Sequence, residues 1–509
     1  MIAQQAAALK ALPLFPLAQA LDQFVRAAAA QRQPAHEVEL GIWKQVLAIG
    51  HAALAQFFQI QGSGDLGPSV TLPTGQTAQR LDQLHNRDYR SVFGDFVLPR
   101  TVYGSREGQK IDFVPLDNRL QLPDSDYSYL LQKWDQTLGC ESAFARVGCT
   151  LFDVLGLKQS VDSLERMNRA MAEHVEAYRQ QRPLPKPEEE GEIIVEQADG
   201  KGIVMRREAT EPKVCGHRKK GEKPNQKRMA VVGTVYSIDR RVRTAEEVVE
   251  SLFRDPQKPP LVQAEQAEAK RVKPVAKHVW ASLTHEHDGE EVSGTSVVFS
   301  WLREELAQRN PEQKKETVNL FDGQESLWDA REDYLPSQNA ADVLDLLHVT
   351  PRLWEGANLF YKEGSDEATA FVKRKVLAVL QGDVVNVVIS LRQMGSRRGL
   401  KGSQRKRLET ICNYLSKNSS RMAYDEYLEK GYPIASGVIE GACRHYVKDR
   451  MERAGMHWSK EGAQAMLDVR SEFLNGDWEG FLNFRIEQET NRLYPHREVL
   501  EGTSWPLAV

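Results

Sequence analysis

The sequence predicts an α/β protein in which a mixed sheet forms a core between helical regions, and three observations predict it. With 509 residues the chain is too long for one compact core. Past residue 190 it contains short runs rich in Val, Ile, Tyr and Trp, a composition that favours strands. Apolar residues elsewhere recur at helical spacing, so we expect helices on both sides of these runs.

The first third of the chain is predicted to be mainly helical, with an extended hairpin segment at residues 93–103. Residues 142–172 follow the pattern helix, break at Gly156, helix, and Ser160 is in position to cap the second helix. This pattern is compatible with a helix-turn-helix and equally with an ordinary helical hairpin inside a core.

Five strands are predicted after a Pro-rich linker at residues 183–191, with helical crossovers before the fourth and the fifth. The strands lie at residues 192–197, 229–238, 278–283, 316–321 and 341–349. Three successive strands suit an antiparallel meander, and the crossovers suit parallel strands added to its edge. This is the layout of a ribonuclease H-like α/β domain, whose last helix is predicted at residues 437–453.

These elements predict how the chain is divided. Residues 1–182 form a mainly helical N-terminal region, 183–191 a linker, 192–353 the first part of the ribonuclease H-like core, 354–430 a helical and locally basic insertion, 431–480 the remainder of the core with its final helix, and 481–509 a C-terminal tail.

The composition excludes several classes of protein. The five cysteines are widely spread with no Cys-x-x-Cys pair, which indicates neither a disulfide framework nor a zinc finger and fits a reducing cytoplasm. No run of about eighteen apolar residues is present, so we expect no membrane span. A net charge of -4 does not exclude a nucleic acid partner, because phosphate binding depends on where the cations cluster.

Two Asp-Gly pairs follow apolar runs and indicate a metal site. Asp199 and Asp322 are expected at the ends of the first and fourth strands, where Asp is a poor strand residue but a good metal ligand. Glu440, in the first turn of the last helix, supplies a third carboxylate. Three such groups can bind two Mg²⁺ or Mn²⁺ ions about 4 Å apart. The alternative is that both Asp-Gly pairs are ordinary turns and Glu440 is a surface residue.

Basic residues surround this last acid. We predict that six side chains on and after the last helix hold a phosphate backbone: Arg444, His445, Lys448, Arg450, Arg453 and Trp458. A charged, solvent-facing helix is the ordinary alternative. A second basic segment, residues 201–228, is interpreted as a flap near the first strand, or else as a solvated loop.

Residues 434–458 read IASGVIEGACRHYVKDRMERAGMHW, and this run closely resembles the glutamate motif of insertion-sequence transposases of the ISKra type, a Mutator-like group. Shorter segments around Asp199, Asp322 and residues 345–349 resemble that family's other landmarks, so the likeness spans roughly residues 193–458. It implies that Asp199, Asp322 and Glu440 are the catalytic DDE residues.

The resemblance also implies an accessory Asp-x-x-His motif, formed by Asp345 and His348. Asp345 competes with Asp322 for the second catalytic position. We favour Asp322, because Asp345 is predicted inside the fifth strand rather than at its end. His348 is expected either to contact the scissile phosphate or to be a buried strand histidine.

The family's activity is metal-dependent cleavage and transfer of DNA strands at the ends of an insertion sequence. The resemblance implies double-stranded DNA as partner, both terminal inverted repeats and target, a homo-oligomer on that DNA, and an N-terminal region that recognises the repeats. Two alternatives remain: a catalytically inactive DNA-binding protein derived from a transposase, and a ribonuclease H-like nuclease without strand transfer.

Overall fold

A computed structural model describes residues 14–104, 111–206, 227–254, 272–287, 290–453, 455–501 and 505. The chain divides into two compact units, one formed by Met1–Tyr178 with Trp478–Val509 and the other by Arg179–Asp477. Across the described ranges, every helix is too short or too polar to cross a membrane.

The first unit is mainly helical and carries two small antiparallel arrangements of strands. Its helices are Leu14–Ala30, Ala35–Gln61, Pro115–Leu120, Tyr129–Glu141, Phe144–Leu155, Val161–Ala172, Val175–Gln181 at the boundary, and Trp478–Leu493. Its strands are Ser69–Thr71, Thr77–Arg80, Tyr103–Gly104 and Ile111–Phe113 in one sheet, and His85–Ser91 with Gly94–Arg100 in a hairpin. The predicted helical region with an extended hairpin segment near residues 93–103 is confirmed.

The predicted helix break in this unit is also present. Gly156 ends the helix Phe144–Leu155 in the left-handed conformation, with φ of 71°. Ser160 caps the next helix, since its Oγ accepts a hydrogen bond of 3.1 Å from the Ser163 backbone N–H. The geometry fits both earlier interpretations, a helix-turn-helix and a plain helical hairpin.

The second unit is an α/β structure built on a five-stranded mixed sheet, as predicted. Its strands are β1 (Ile193–Val204), β2 (Lys227–Ile238), β3 (Val275–Leu283), β4 (Glu316–Phe321) and β5 (Ala340–Leu344). They lie in the order β5-β4-β1-β2-β3. Strands β1, β2 and β3 form an antiparallel meander, and β4 and β5 add in parallel beside β1.

The helices of this unit connect and cover the sheet. They are α1 (Ala245–Leu252), α2 (Gly294–Arg309), α3 (Glu325–Tyr334), α4 (Leu346–Ala357), α5 (Asp366–Leu380), α6 (Val384–Arg397), α7 (Gly402–Lys417), α8 (Tyr424–Glu429), α9 (Gly437–Ala442) and α10 (Lys460–Asn475). A small hairpin, His285–His287 with Glu290–Val292, precedes α2. Helix α2 lies against the sheet where β2 has a glycine: a Cβ on Gly233 would meet Val298 Cγ1 at 2.6 Å.

Two of the predicted strand boundaries are wrong. Strand β1 continues through Asp199 to Val204, because it pairs with β2 along its whole length and Asp199 lies opposite Val232. Strand β5 stops at Leu344, since Asp345 caps helix α4 with a carboxylate that accepts a hydrogen bond of 3.0 Å from the Leu347 N–H. The apolar residues after Asp345 therefore belong to a helix.

The last predicted helix, residues 437–453, is interrupted. It begins as α9, passes through a π-helical turn at Cys443–Lys448 and ends with the short helix Asp449–Met451. A π-turn inserts one extra residue into the helix and is frequent at functional sites.

Candidate functional site

The strand register brings three aspartates to one level of the sheet. Asn319 of β4 lies opposite Glu196 of β1, and this register, continued for three residues, leads to Asp322 beside Asp199; the charge of Asp199 acts on Asp322. Phe321 lies opposite Leu344 of β5, so the next residue pair is Asp322 and Asp345. The Asp345 N–H donates to the Phe321 carbonyl at 2.9 Å, which extends the pairing to this level.

Asp199 is half-buried in the interior of β1 rather than at its end, and its carboxylate faces the π-turn. Its Oδ2 accepts a hydrogen bond of 3.4 Å from the Cys443 Sγ–H. Burial raises the pKa of the Cys443 thiol well above its ordinary value, and the nearby charges of Asp199 and Glu440 raise it further. Cys443 therefore stays a neutral donor that orients Asp199.

Asp322 directly follows β4, and its Oδ1 accepts a hydrogen bond of 2.8 Å from the Gln324 N–H. Burial raises the pKa of Asp322, and the charges of Asp199 and Asp345 add to the rise, while the Gln324 bond and the charge of His348 oppose it. The aspartates thus repel one another across neighbouring strands. Such crowding of like charges is typical of a site that holds a cation.

Gly323 is required for the packing beside Asp322. A Cβ at this position would lie 2.3 Å from the Tyr414 ring. The pKa of Tyr414 is raised to about 12, first by burial and then by the charge of Asp322. The tyrosine of α7 therefore presents a neutral hydroxyl close to the aspartates. No motif in the sequence marks Tyr414, since only the fold brings α7 to the end of β4.

Asp345 is fully buried, and its carboxylate accepts four hydrogen bonds. Its Oδ1 accepts from the backbone N–H groups of Leu347 and Ser436, both at 3.0 Å. Its Oδ2 accepts from the Ser436 Oγ–H at 2.5 Å and from His348 Nδ1 at 2.6 Å. A carboxylate with two donors on each oxygen has little capacity left for a metal ion, so Asp345 is placed to orient its neighbours.

His348 lies on α4 rather than in a strand, so the prediction of a buried strand histidine is wrong; 41% of its side chain is exposed. Because Asp345 accepts from Nδ1, that nitrogen carries a proton. The hydrogen bond to Asp345 raises the pKa of His348 despite the opposing effect of burial, and the charges of Asp345, Asp322 and Asp199 raise it too.

Glu440 is exposed in the first turn of α9, as predicted. One of its carboxylate oxygens, one Asp345 oxygen and one His348 nitrogen all lie within 4.8 Å of one another. The helix is fixed at this point by β1, because the buried Gln197 Oε1 accepts a hydrogen bond of 3.0 Å from the Ile439 N–H. Gln197 and Ser436 are positioning residues that the sequence pattern did not reveal.

Of the predicted trio of Asp199, Asp322 and Glu440, only Glu440 belongs to the compact group of possible metal ligands found in the described residues. Within the described ranges, the group whose ligand atoms come within 4.8 Å of one another is Asp345, His348 and Glu440. Asp199 and Asp322 lie beside this group, at the same sheet level as Asp345. All five predicted acidic and accessory residues thus belong to one region of the second unit.

The predicted phosphate-binding residues separate into two sets. Four are exposed on the π-turn and beyond it: Arg444, His445, Lys448 and Arg453. Arg450 and Trp458 are instead buried, with the guanidinium 5.0 Å from the indole ring centre. The Trp458 Nε1–H donates to the Met451 carbonyl at 3.1 Å. Buried side chains that pack on each other do not fit direct contact with a phosphate backbone, which corrects the prediction for these two.

Most of the basic segment at residues 201–228 lies outside the described residues. The basic segment begins with the last residues of β1, which are hydrogen-bonded to Trp458, a residue that follows the π-turn. The Arg206 N–H donates to the Trp458 carbonyl at 2.7 Å, and the Trp458 N–H donates to the Val204 carbonyl at 3.1 Å. The flap interpretation remains a prediction.

The fold and the site define a class: an α/β protein with a cluster of carboxylates and one histidine beside the parallel strands of a mixed sheet. No known family model matches the chain, and no curated protein matches it in sequence.

Proposed function

We propose that this protein is a DNA transposase that cleaves DNA strands at the ends of an insertion sequence and transfers them to a target. The observation that carries the proposal is the meeting of acids from distant parts of the chain. Asp199 and Asp322 lie at one level of adjacent strands, and Glu440 lies on a helix held against β1. None of the three forms an ion pair within the described residues.

The strand arrangement supports a ribonuclease H-like fold for the catalytic core. Three antiparallel strands are followed by two parallel ones on the side of β1, in the order β5-β4-β1-β2-β3. Asp199 then lies on the central strand β1, and Asp322 follows the neighbouring strand β4. The helices α5 to α8 between β5 and the Glu440 helix are the helical insertion of the proposed fold.

The donor set fits Mg²⁺ or Mn²⁺. These ions prefer hard oxygen ligands, and the carboxylates of Asp199, Asp322 and Glu440 are half-buried or exposed and form no ion pair in the described chain. Burial is the larger cause of the raised pKa of Asp322, and the charges of Asp199 and Asp345 add a repulsion that a divalent cation would relieve. When bound, such ions lower the pKa of the attacking water or 3′-hydroxyl and neutralise charge on the leaving oxygen.

The hydrogen bonds favour Asp322 over Asp345 as the second catalytic acid. The carboxylate of Asp345 already accepts hydrogen bonds from Ser436, Leu347 and His348, whereas that of Asp322 accepts one within the described residues, from the Gln324 N–H. We assign Asp345 to hold His348 with its Nδ1 protonated. His348 then directs Nε2 toward the substrate, where it contacts a phosphate oxygen.

Three exposed cations next to Glu440 support a DNA substrate. Arg444, Lys448 and Arg453 follow the catalytic acid within fourteen residues, and the exposed His445 lies 3.0 Å through Nδ1 from Asp449 Oδ2. Cations near an acidic metal site attract the phosphate backbone that the site must hold. In the proposal, the first unit recognises the terminal repeats, and two or more copies of the protein act on the paired ends.

The test is a strand-transfer assay with the full-length protein and a plasmid that carries the coding region with its flanking DNA. Glu440→Gln should abolish Mg²⁺-dependent cleavage and joining while DNA binding is retained. Glu461→Gln is the matched control, because Glu461 is also an exposed acid in the first turn of a helix, α10. Cleavage without joining would identify a nuclease instead. Binding without cleavage by the unmodified protein would identify an inactive DNA-binding protein.

The same assay separates the two candidates for the second acid. Asp322→Asn should remove activity and lower the affinity for Mn²⁺, measured by calorimetry. Asp345→Asn should lower Mn²⁺ affinity by no more than about 100-fold, since replacing a group that orients a metal ligand typically costs 10–100-fold in affinity. Loss of Mn²⁺ binding in Asp345→Asn alone would reverse the assignment.

A further inference from the structure

A dense cluster of positive charge lies away from Glu440 in the chain, at the connection between α6 and α7. We call residues 397–407 the basic turn. It contains six cations and no acidic residue: Arg397, Arg398, Lys401, Arg405, Lys406 and Arg407. The net charge of the chain is -4, so a polyanion is attracted by such local clusters rather than by the protein as a whole.

The basic turn is held in a defined conformation. Gly399 adopts φ of 64°, and its N–H donates to the Ser396 carbonyl at 3.1 Å. The Leu400 N–H donates to the Gly395 carbonyl at 3.0 Å, and the Leu400 side chain packs against the hydrophobic core. These bonds are those of a Schellman-type helix end. The cations on either side of Leu400 are therefore presented from a fixed turn.

Four of the six cations have no acidic partner among the residues that the structure describes. Arg405 pairs with Glu409 at 2.9 Å and Arg407 with Glu355 at 3.7 Å. The other four are exposed and form no ion pair with any residue that the structure describes: Arg397, Arg398, Lys401 and Lys406. The unpaired charge is thus free to attract an anion from solution.

Helix stability does not account for the cations at the start of α7. Lys401 occupies the N-cap without a side-chain capping bond, and the first turn contains no acidic residue. Ser, Thr, Asp and Asn are the usual N-caps, and positive charge near a helix N-terminus is unfavourable because of the helix dipole. An external anion would turn this unfavourable arrangement into a favourable one.

We propose that the basic turn binds the phosphate backbone of duplex DNA, in addition to the cations that follow Glu440. The inference rests on the proposed function for its substrate. Duplex DNA carries about one negative charge per 1.7 Å of helix axis. Several unpaired cations within ten residues therefore match DNA better than they match the scattered acidic residues of a protein surface. Contacts of this kind position the DNA and carry no sequence information.

The experiment measures binding of the full chain to a fluorescent, random-sequence DNA duplex by anisotropy, in EDTA and at a series of NaCl concentrations. The test variant is Lys401→Glu with Lys406→Glu. The matched control is Lys277→Glu with Arg303→Glu, which reverses two other exposed cations of the same unit that lack a described ion-pair partner. Lys401→Gln with Lys406→Gln serves where charge reversal impairs folding, which circular dichroism and thermal unfolding would reveal.

The test variant should bind DNA roughly tenfold or more weakly near physiological salt, and the slope of log affinity against log salt should fall by about two. The control should change both quantities far less. Unchanged affinity and slope in the test variant, or equal losses in the control, would overturn the inference. So would binding of phosphatidylserine vesicles, instead of DNA, that depends on Lys401 and Lys406.

The two proposals fail separately. If the unmodified protein cleaves DNA with Mg²⁺ while the test variant binds normally, the basic turn is excluded and the catalytic proposal stands. If the unmodified protein neither binds nor cleaves DNA, both are overturned.

Discussion

The same three strands carry a polar row on each face of the sheet. One row consists of Asp199 within β1 and of Asp322 and Asp345, which directly follow β4 and β5. The other lies three residues earlier on each strand and consists of Glu196, Asn319 and Asp342. Because side chains alternate between faces along a strand, a separation of three residues puts the rows on opposite faces.

The earlier row is neutralised inside the protein. Asp342 accepts hydrogen bonds from Arg331 Nε at 2.7 Å and from Asn319 Nδ2 at 2.9 Å. Glu196 is fully buried, and burial raises its pKa to about 8 against the opposing charges of Arg331 and Arg309. Its carboxyl group is therefore neutral at pH 7, as is usual for an acid without a strong partner in the interior.

The later row has no arginine of this kind in the described chain. Its neighbours are other acids, one histidine and the Cys443 thiol. The comparison teaches that an acidic residue on a central strand is not by itself a sign of function. The earlier row has little net charge, because Arg331 pairs with Asp342 and Glu196 is protonated, whereas Asp199 and Asp322 form no ion pair with the described residues and are the acids suited to a metal ion.

The largest difference between the rows should appear in catalysis. Asp199→Asn should lower Mg²⁺-dependent strand cleavage by roughly a thousandfold, because it removes a charged oxygen ligand. Glu196→Gln should leave cleavage nearly unchanged, since amide and neutral carboxyl have similar shape and charge. Single-turnover cleavage with the full-length protein measures both. Equal loss in the two variants would contradict the distinction between the rows.

The sequence predicted much of this architecture, because the strands follow composition. The limits of β4 were predicted to the residue, and β2 and β3 were predicted within three residues. The second unit's mixed sheet follows from three strands in succession and two helical crossovers. Local preference and chain order are enough for such features.

The errors arise where a local signal has two meanings. The Asp-Gly pair at Asp199 was interpreted as a strand end, but pairing with β2 overrides the turn preference of glycine. Leu346, Val349 and Leu353 are buried at helical spacing, and Asp345 is a helix cap, so the strand prediction beyond Leu344 used the wrong period. The burial of Arg450 against Trp458 depends on tertiary packing that a list of cations does not reveal.

The second prediction concerns stability. Arg331→Met should destabilise the fold by about 2–3 kcal/mol, because it leaves the Asp342 carboxylate without its cation. Arg303→Met, an exposed arginine on α2, should have an effect near zero. Chemical denaturation of both variants provides the values. Should Arg331→Met be as stable as the control, the earlier row does not depend on its arginine.

The third prediction is a dependence of stability on pH. The pKa of Glu196 is raised from 4.5 to about 8 in the folded protein, so between these values the folded state holds a proton that the unfolded state has lost. This contribution to stability is greatest at and below the unfolded pKa and is lost as pH rises to about 8. Glu196→Gln should remove this decline, so its stability relative to the unmodified protein should increase from pH 5 to pH 8, by at most about 1.4 kcal/mol per pH unit.

Denaturation midpoints of the unmodified protein and Glu196→Gln across this range measure the difference. A constant difference between them at every pH would mean that Glu196 does not take up a proton on folding.

The smallest expected effect comes from comparing a serine that positions Asp345 with a serine that caps a helix. Ser436 precedes α9 but does not cap it; its Oγ–H donates to Asp345. Ser459 is a true cap, with Oγ accepting from the Gly462 N–H at 3.1 Å. Ser436→Ala should lower cleavage per folded molecule by about tenfold, because Asp345 loses one of the donors that fix it and His348 is held less firmly. Ser459→Ala should cost about 1 kcal/mol of stability and leave cleavage intact. Measured at a temperature where both variants are fully folded, equal cleavage rates would show that the Asp345 hydrogen bonds support only the fold.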